Sequence, residues 1–156
     1  MKSFFQTPKN TKRVKKPWGY ELWIASDLNS KSYAMKEIFI KKGFKTSLQF
    51  HQFKQETNYI ISGKGTLLLS ENKININKFK NNNYSEKDLK NFLNNLKSYK
   101  LTKGSSFHIK PLYVHRVISL ENLKMIECSS LHLDDVYRIF DEYKRGHGRI
   151  DSEHKQ

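Results

Sequence analysis

Residues 57–70 read TNYIISGKGTLLLS, two short apolar runs broken by Gly63-Lys64-Gly65. Runs this short, rich in β-branched and aromatic side chains, are strand-like, and glycine supplies the positive φ of a hairpin-like turn between them. The same grammar recurs on both sides. Residues 33–40 end at Lys41-Lys42-Gly43, residues 46–53 follow, residues 105–110 lead to Pro111, and 114–119 and 123–129 close the series. Many short strands with turns at this spacing predict an all-β sandwich or barrel. A chain of 156 residues is long enough for one domain with a substantial core.

The chemistry sits just upstream. Residues 47–54 read SLQFHQFK and are followed at once by Gln55-Glu56. On a strand, side chains two apart face the same way, so Gln49, His51 and Phe53 share a face. Glu56 has the opposite parity, and a bend at Lys54 and Gln55 would return it. His115 arrives on a second hydrophobic strand. One amide oxygen, two imidazoles and one carboxylate suit a divalent metal with open positions for a substrate. A single histidine on a strand is more often a hydrogen-bonded core or surface residue. His51 rises above that through Gln49 and Glu56, while His108 is expected only to pack.

Three further residues are candidates for catalysis. Lys36 faces the same way as Ala34 and Ile38, so it either enters the barrel as an acid/base or sugar-oxygen contact or simply packs. Glu127 lies in an apolar strand, where a buried carboxylate needs a partner. Arg116 points away from His115 on an ideal strand, so a rim position competes with contact to substrate.

One segment breaks the strand pattern. Ser85-Glu86-Lys87-Asp88 is a capping box with Asp in place of Glu, and Leu89, Phe92, Leu93 and Leu96 fall on one helical stripe. These predict a short helix at 85–98 within an insert at 81–99, lying on the outside of the barrel and dispensable to it. A second, C-terminal helix is expected over 134–144, with Asp134 or Asp135 near its start. The remaining ends are expected to be a basic arm over 1–15 and a polar tail over 146–156, flanking a domain over 16–145.

The net charge is +14, but six of those charges come from Lys2, Lys9, Lys12, Arg13, Lys15 and Lys16, which face no acid in residues 1–16. The excess is mostly lysine among asparagine and isoleucine, with no nucleic-acid-binding motif, so a solvated surface is preferred over a nucleic-acid site. The lone Cys128 excludes an intramolecular disulfide, and Met125 and Ile126 nearby suggest a buried thiol. No apolar run approaches the ~20 residues that cross a bilayer, and a secretory apolar region is lacking. A cytoplasmic protein without membrane contact is expected.

Taken together, these residues resemble the cupins, and within them the cupin domain of type II mannose-6-phosphate isomerases. Lys16-Pro17-Trp18-Gly19 is similar to that family's opening motif, and Ser47-Leu48-Gln49, His51, Glu56 and Gly63 to its first metal motif. Ile109-Lys110-Pro111 with His115-Arg116 resembles the second, and Ile126-Glu127 and Asp134-Asp135 to Arg138, Asp141 and Tyr143 match its tail. The resemblance covers about residues 15–70 and 101–145. It implies a cupin double-stranded β-helix barrel holding a divalent metal on Gln49, His51, Glu56 and His115, with zinc first and manganese, iron or cobalt as alternatives. It also implies aldose–ketose isomerisation of a small anionic sugar, with Lys36, Lys54, Arg116 and Arg138 as phosphate contacts, and a homodimer more loosely. The chain departs from the family by carrying Gln52 and Phe53 where two more histidines stand, Lys54 for an arginine and Asn58 for a tryptophan. Phe53 is thereby expected beside the metal. Two other classes compete: another metal cupin enzyme (epimerase, lyase or oxygenase), and a non-catalytic sugar-binding or regulatory cupin.

Overall fold

The computed structural model describes residues 5–154. After one 3-10 turn at Pro8–Asn10 come β1 (Lys12–Lys16), β2 (Gly19–Ala25), β3 (Ala34–Ile40), β4 (Leu48–Phe50), β5 (Glu56–Ser62) and β6 (Gly65–Lys73). Helices α1 (Ile76–Lys80) and α2 (Glu86–Asn94) precede β7 (Lys97–Leu101), β8 (Ser106–Ile109), β9 (Tyr113–Ser119), β10 (Leu123–Ser129), β11 (Tyr137–Phe140) and α3 (Asp151–His154). The strands form a six-stranded sheet, β1-β2-β3-β10-β5-β8, and a five-stranded sheet, β11-β4-β9-β6-β7. The paired strands run antiparallel. The expected cupin jelly-roll barrel is the observed architecture.

Alternation decides what each strand buries. In β3, Ala34, Lys36, Ile38 and Ile40 point inward, and in β10 Leu123, Met125, Glu127 and Ser129 do. One end of the interior is apolar, built from Trp18, Ile38, Ile40, Ile60, Phe107 and Leu123 with their neighbours. Towards the other end the inward positions turn polar. Trp23, Lys36, Glu127 and Asn58 form one cross-strand row there.

The glycine turn at 63–65 is not a hairpin. Its flanking strands β5 and β6 lie in different sheets, so the turn is a corner of the barrel. Gly63 has φ +84°, and a Cβ there would come within 2.1 Å of the Asn122 carbonyl oxygen. Only glycine lets the two backbones pass this closely.

The insert is shorter as a helix and more deeply engaged than expected. Ser85 and Asp88 close a reciprocal capping box at the start of α2, but residues 97–99 belong to β7. The outward side chains Leu48, Phe50 and Val114 of the five-stranded sheet, with Ile74, are covered by Phe79, Tyr84, Phe92, Leu93 and Leu96. This is a second core on the barrel's outer wall, not a detachable ornament. Replacing residues 81–99 with a Gly/Ser loop is therefore expected to uncover Phe50 and Val114, both fully buried, and to remove three of the five residues of β7. A lower thermal midpoint and aggregates on gel filtration are the expected readouts. A monodisperse variant with an unchanged midpoint would contradict this packing.

The chain ends also differ from expectation. Residues 12–15 of the proposed arm lie in β1, where Val14 is fully buried, because alternation leaves an inward apolar position between lysines. Residues 1–4 fall outside the described chain. The segment over 134–144 is not helical but carries β11, since Tyr137 and Ile139 alternate outward onto the second core. The tail after residue 146 turns back over the barrel mouth, and α3 packs on β1. Residues 155–156 lie outside the described chain.

Cys128 is exposed, not buried, because it alternates with the inward Glu127 and Ser129. His108 is exposed as well, its Nδ1 2.8 Å from the Thr57 hydroxyl. Among the described residues, no helix is long and apolar enough to cross a membrane.

Candidate metal centre

Strand β4 ends at Phe50 because Asp135 captures the chain beyond it. Its carboxylate accepts the backbone N–H groups of Gln52, Phe53 and Lys54 at 3.0, 2.6 and 2.9 Å. These three bonds hold Asp135 below its ordinary value even though partial burial pushes the other way. The bend falls at Gln52-Phe53, two residues earlier than the expected Lys54-Gln55. Two consequences follow. Phe53 swings outward, 59% exposed and beside His132, so no phenyl ring stands at the centre. Lys54 swings inward and is buried.

His51, Glu56 and His115 converge inside the barrel, one donor atom from each lying within 4.8 Å of the others. The two imidazole centroids are 5.1 Å apart. His51 Nε2 is 3.6 Å from Glu56 Oε2, and His115 Nε2 is 3.7 Å from Glu56 Oε1. Donors sharing one tetrahedral ion at about 2.1 Å would be separated by about 3.4 Å, so small rotations suffice for a common ligand set. The second ring nitrogens agree with this. His51 Nδ1 bonds the Asp135 carbonyl, and His115 Nδ1 bonds the Tyr113 carbonyl at 3.1 Å. A carbonyl only accepts, so each Nδ1 carries the proton and each Nε2 presents a lone pair. His51 Nε2 is buried without any hydrogen-bond partner. An orphaned lone pair aimed at a carboxylate is what a cation would complete, and the residues present fit a divalent metal.

Gln49 shares the wall, directly opposite His115 in the β4–β9 pairing. Its Oε1 accepts the Ser47 hydroxyl at 2.5 Å, and both residues line the cavity that holds the cluster.

The electrostatics are set by Lys54. Its Nζ lies 2.5 Å from Glu56 Oε2 and 2.9 Å from Glu127 Oε1. Burial would lower its proton affinity, but the two carboxylates outweigh that and raise it. Glu56 likewise falls well below its ordinary range, burial being overcome by Lys54 and the imidazoles. Glu127 moves up, first through burial and then through the nearby Glu56 charge. Two carboxylates sharing one lysine are thus pushed apart in proton affinity.

Burial, followed by the Lys54 charge, lowers His51 to about 3, and burial lowers His115 too. Both depressions make stability depend on pH. An unfolded chain takes up these protons as pH falls below 6.5, whereas the folded chain refuses them until near 3 for His51. The contribution is complete above 6.5 and is lost on acidification, by about 1.4 kcal/mol per pH unit for His51 between its two values, with His115 acting in the same direction. Urea denaturation in EDTA between about pH 6.5 and about pH 4.5 should show this fall. His51→Gln should flatten it by one histidine's share; an unchanged slope would mean that His51 is not held neutral.

Other sequence candidates distribute unevenly. Lys36 enters the barrel as expected, its Nζ 3.4 Å from Glu21 and 4.0 Å from Glu127. Glu127 finds its partners in Lys54 and Lys36. Arg116 faces away, bound by both oxygens of Glu142 at 2.9 and 2.7 Å and by the Phe140 carbonyl, and is outside the cavity. Lys54 is committed to carboxylates, not left free for phosphate.

Sequence reasoning missed several residues that line the cavity, including Glu21, Arg145, Arg149 and His154. Glu21 takes the Trp23 indole N–H at 2.8 Å. It sits at about 2, because Lys36 and Lys16 overcome the effect of burial. A continuous ladder of opposite charges results. It runs from Asp141 through Arg145, Glu153, Lys16, Glu21, Lys36, Glu127 and Lys54 to Glu56, with successive separations of 4.0 Å or less. The alternation of inward Glu21 and Trp23 was the available signal for Glu21; the tail residues offered none.

No protein-family model matches the chain, and no curated protein matches it in sequence. Solved structures do match in fold. KdgF from Halomonas sp. aligns at 14% identity over 86% of this chain and 98% of its own, with a TM-score of 0.60. Ectoine synthase from P. lautus aligns at 11% identity over 82% of this chain and 78% of its own, with a TM-score of 0.61. CapF, a capsular polysaccharide assembling protein from Staphylococcus aureus, aligns at 16% identity over 85% of this chain, with a TM-score of 0.51. This chain spans only 32% of CapF. These likenesses establish the cupin fold.

Proposed function

We propose that this cupin-fold chain is a metal-dependent enzyme that acts on a phosphorylated sugar by aldose–ketose isomerisation, as in mannose-6-phosphate isomerases. The observation that best supports it is the pairing of two neutral imidazoles, their Nε2 lone pairs turned on Glu56, with a second carboxylate of raised proton affinity held by the same lysine. His51, Glu56 and His115, with Gln49 beside them, would hold the ion. A divalent metal bound there, zinc first and manganese, iron or cobalt as alternatives, would polarise the sugar's carbonyl and hydroxyl oxygens.

The remaining roles belong to the chain. Glu127 takes the proton from one sugar carbon and returns it to its neighbour, the task for which a carboxylate of raised affinity is suited. Lys54, at 2.9 Å, steadies Glu127 while it is ionised. Lys36, 4.0 Å from Glu127, can donate to a sugar oxygen. The tail over the mouth limits water.

The test is elemental analysis of protein purified without a metal-affinity tag, followed by assay against hexose 6-phosphates. About one divalent ion per chain and metal-dependent interconversion of aldose and ketose are expected. One observation favours a second reading: Lys54 already neutralises Glu56 at 2.5 Å, as a metal-free sugar-binding cupin could use. Protein that holds no metal, turns over no hexose phosphate and still binds sugar after His51→Ala would establish that reading instead.

A further inference from the structure

The cavity in which His51, Glu56 and His115 converge measures about 90 Å³. Small-molecule sites run from ~300 Å³ upward, so nothing the size of a sugar phosphate enters unless part of the wall moves. Much of that wall is hydrogen-bonded sheet. Gly148, Arg149, Ile150 and His154 also line the cavity and belong to neither sheet.

The tail divides at Gly148. Residues 146–148 are stitched to β11: the Arg138 N–H donates to His147 Nδ1 at 3.1 Å, the Gly148 N–H donates to the Val136 carbonyl at 2.8 Å, and Arg138 Nη1 donates to both glycine carbonyls. Arg145, just before them, is fixed to Asp141 through Nε and Nη2. Beyond Gly148, among the described residues, no backbone hydrogen bond reaches the barrel. The Glu153 N–H turns to the Ile150 carbonyl at 3.0 Å, inside the segment itself. Side chains do the holding. Glu153 accepts from Lys16 Nζ at 2.8 Å and from Arg145 Nη1 at 3.2 Å, and the His154 ring stands edge-on to Trp23, 5.2 Å between centroids. The closure is imperfect, because His154 Nδ1 is buried there without a partner, and water would satisfy it once the segment lifts. Gly148 has φ +69°, and glycine is the residue that absorbs a backbone rotation most freely.

We propose that residues 149–154 are a flap over the cavity, hinged at Gly148 and latched by Glu153, which swings off the mouth to admit a ligand of metabolite size. Closed and open forms exchange, and a ligand that fits only the open form draws the population towards it, with an apparent affinity reduced by the fraction open. Loosening the latch therefore tightens binding, the opposite of what losing a ligand contact does. The inference rests on the proposed function only for the size of the ligand; the hinge and latch stand on the packing of the tail.

Two readouts follow opening without turnover. Trypsin nicking after Arg149, read by mass, tracks the population of the open form. Acrylamide quenching reports on the mouth, because the chain's two tryptophans, Trp18 and Trp23, are buried and both line the cavity. Glu153→Gln, which keeps the shape and removes the charge, should speed nicking at least tenfold and raise the quenching constant at least twofold, with circular dichroism unchanged. Glu121→Gln, which breaks an exposed pair with Lys64, should match wild type in both. By calorimetry, Glu153→Gln should bind mannose 6-phosphate at least threefold more tightly than wild type does, and saturating wild type with that sugar should speed nicking. If Glu153→Gln opens the mouth but neither protein binds the sugar phosphate, the isomerase reading fails and the flap stands. Wild-type nicking and quenching in Glu153→Gln would overturn the flap, as would bound sugar that leaves nicking unchanged or slows it. Should Glu153→Gln misfold, Lys16→Gln cuts the same latch from the barrel side and is held to the same outcomes.

Discussion

Replacing Lys54 with methionine should destabilise the folded chain by about 3–5 kcal/mol at neutral pH, the cost of breaking a buried ion pair from one side. Lys54 is the single cation between Glu56 and Glu127, at 2.5 and 2.9 Å, and all three are buried. Without it two carboxylates confront each other in a low-dielectric interior, and both must rise in proton affinity to remain there. Relative to wild type, the loss is then smaller near pH 5, where the folded state holds protons that the unfolded state has released, and it grows as pH increases. Urea midpoints in EDTA at about pH 5 and about pH 7 check both the size and the sign. Adding Glu127→Gln should recover part of the loss, because one like-charge confrontation disappears. A Lys54→Met protein as stable as wild type at neutral pH would show that the lysine is not the keystone of the interior.

His115→Ala should remove most of the bound metal and lower turnover by at least ~10²-fold, while the protein remains folded. Loss of residues that merely orient a ligand costs ~10–100-fold, and a ligand itself costs more. Folding should survive because, among the described residues, the ring's only hydrogen bond runs to the Tyr113 carbonyl of its own strand. Elemental analysis and circular dichroism on the same preparation provide the two readouts. Phe53→His is the matching control. Sequence spacing alone would have it rebuild a two-histidine face and tighten metal binding, but Phe53 is exposed beyond the bend. Metal content should therefore be unchanged. Retention of metal and activity in His115→Ala would falsify the proposed centre.

The barrel was legible because its signals are local. Alternation marked the strands at 33–40, 57–62, 114–119 and 123–129, and Ser85 with Asp88 marked a helix start that the structure closes as a capping box. Convergence of His51, Glu56 and His115 was legible from residue type and order. What escaped was set by partners distant in sequence. Nothing in SLQFHQFK announces that Asp135, more than eighty positions on, will end β4 early, turn Phe53 out and bring Lys54 in. The 134–144 segment looked helical because Asp135 resembles a helix-start acid, whereas its carboxylate serves the bend of another strand. Gly63 reads as a hairpin turn until the flanking strands are found in opposite sheets. Arg138 was one of four phosphate contacts that the resemblance implied; its Nη1 donates instead to the Gly146 and Gly148 carbonyls of the tail, partners with no local signal.

The charge ladder from Asp141 to Glu56 constrains how this protein can drift. Each inner rung touches an opposite charge on both sides, so one reversal creates two repulsions at once and one neutral substitution strands both neighbours. Tolerated changes must come in complementary pairs, or as removal of adjacent rungs together. The interior therefore inherits its charges as linked sets, while the lysines outside can come and go singly. Along that row five acids meet four bases, so a chain with a net charge of +14 carries a cation-poor seam that ends where the histidines converge.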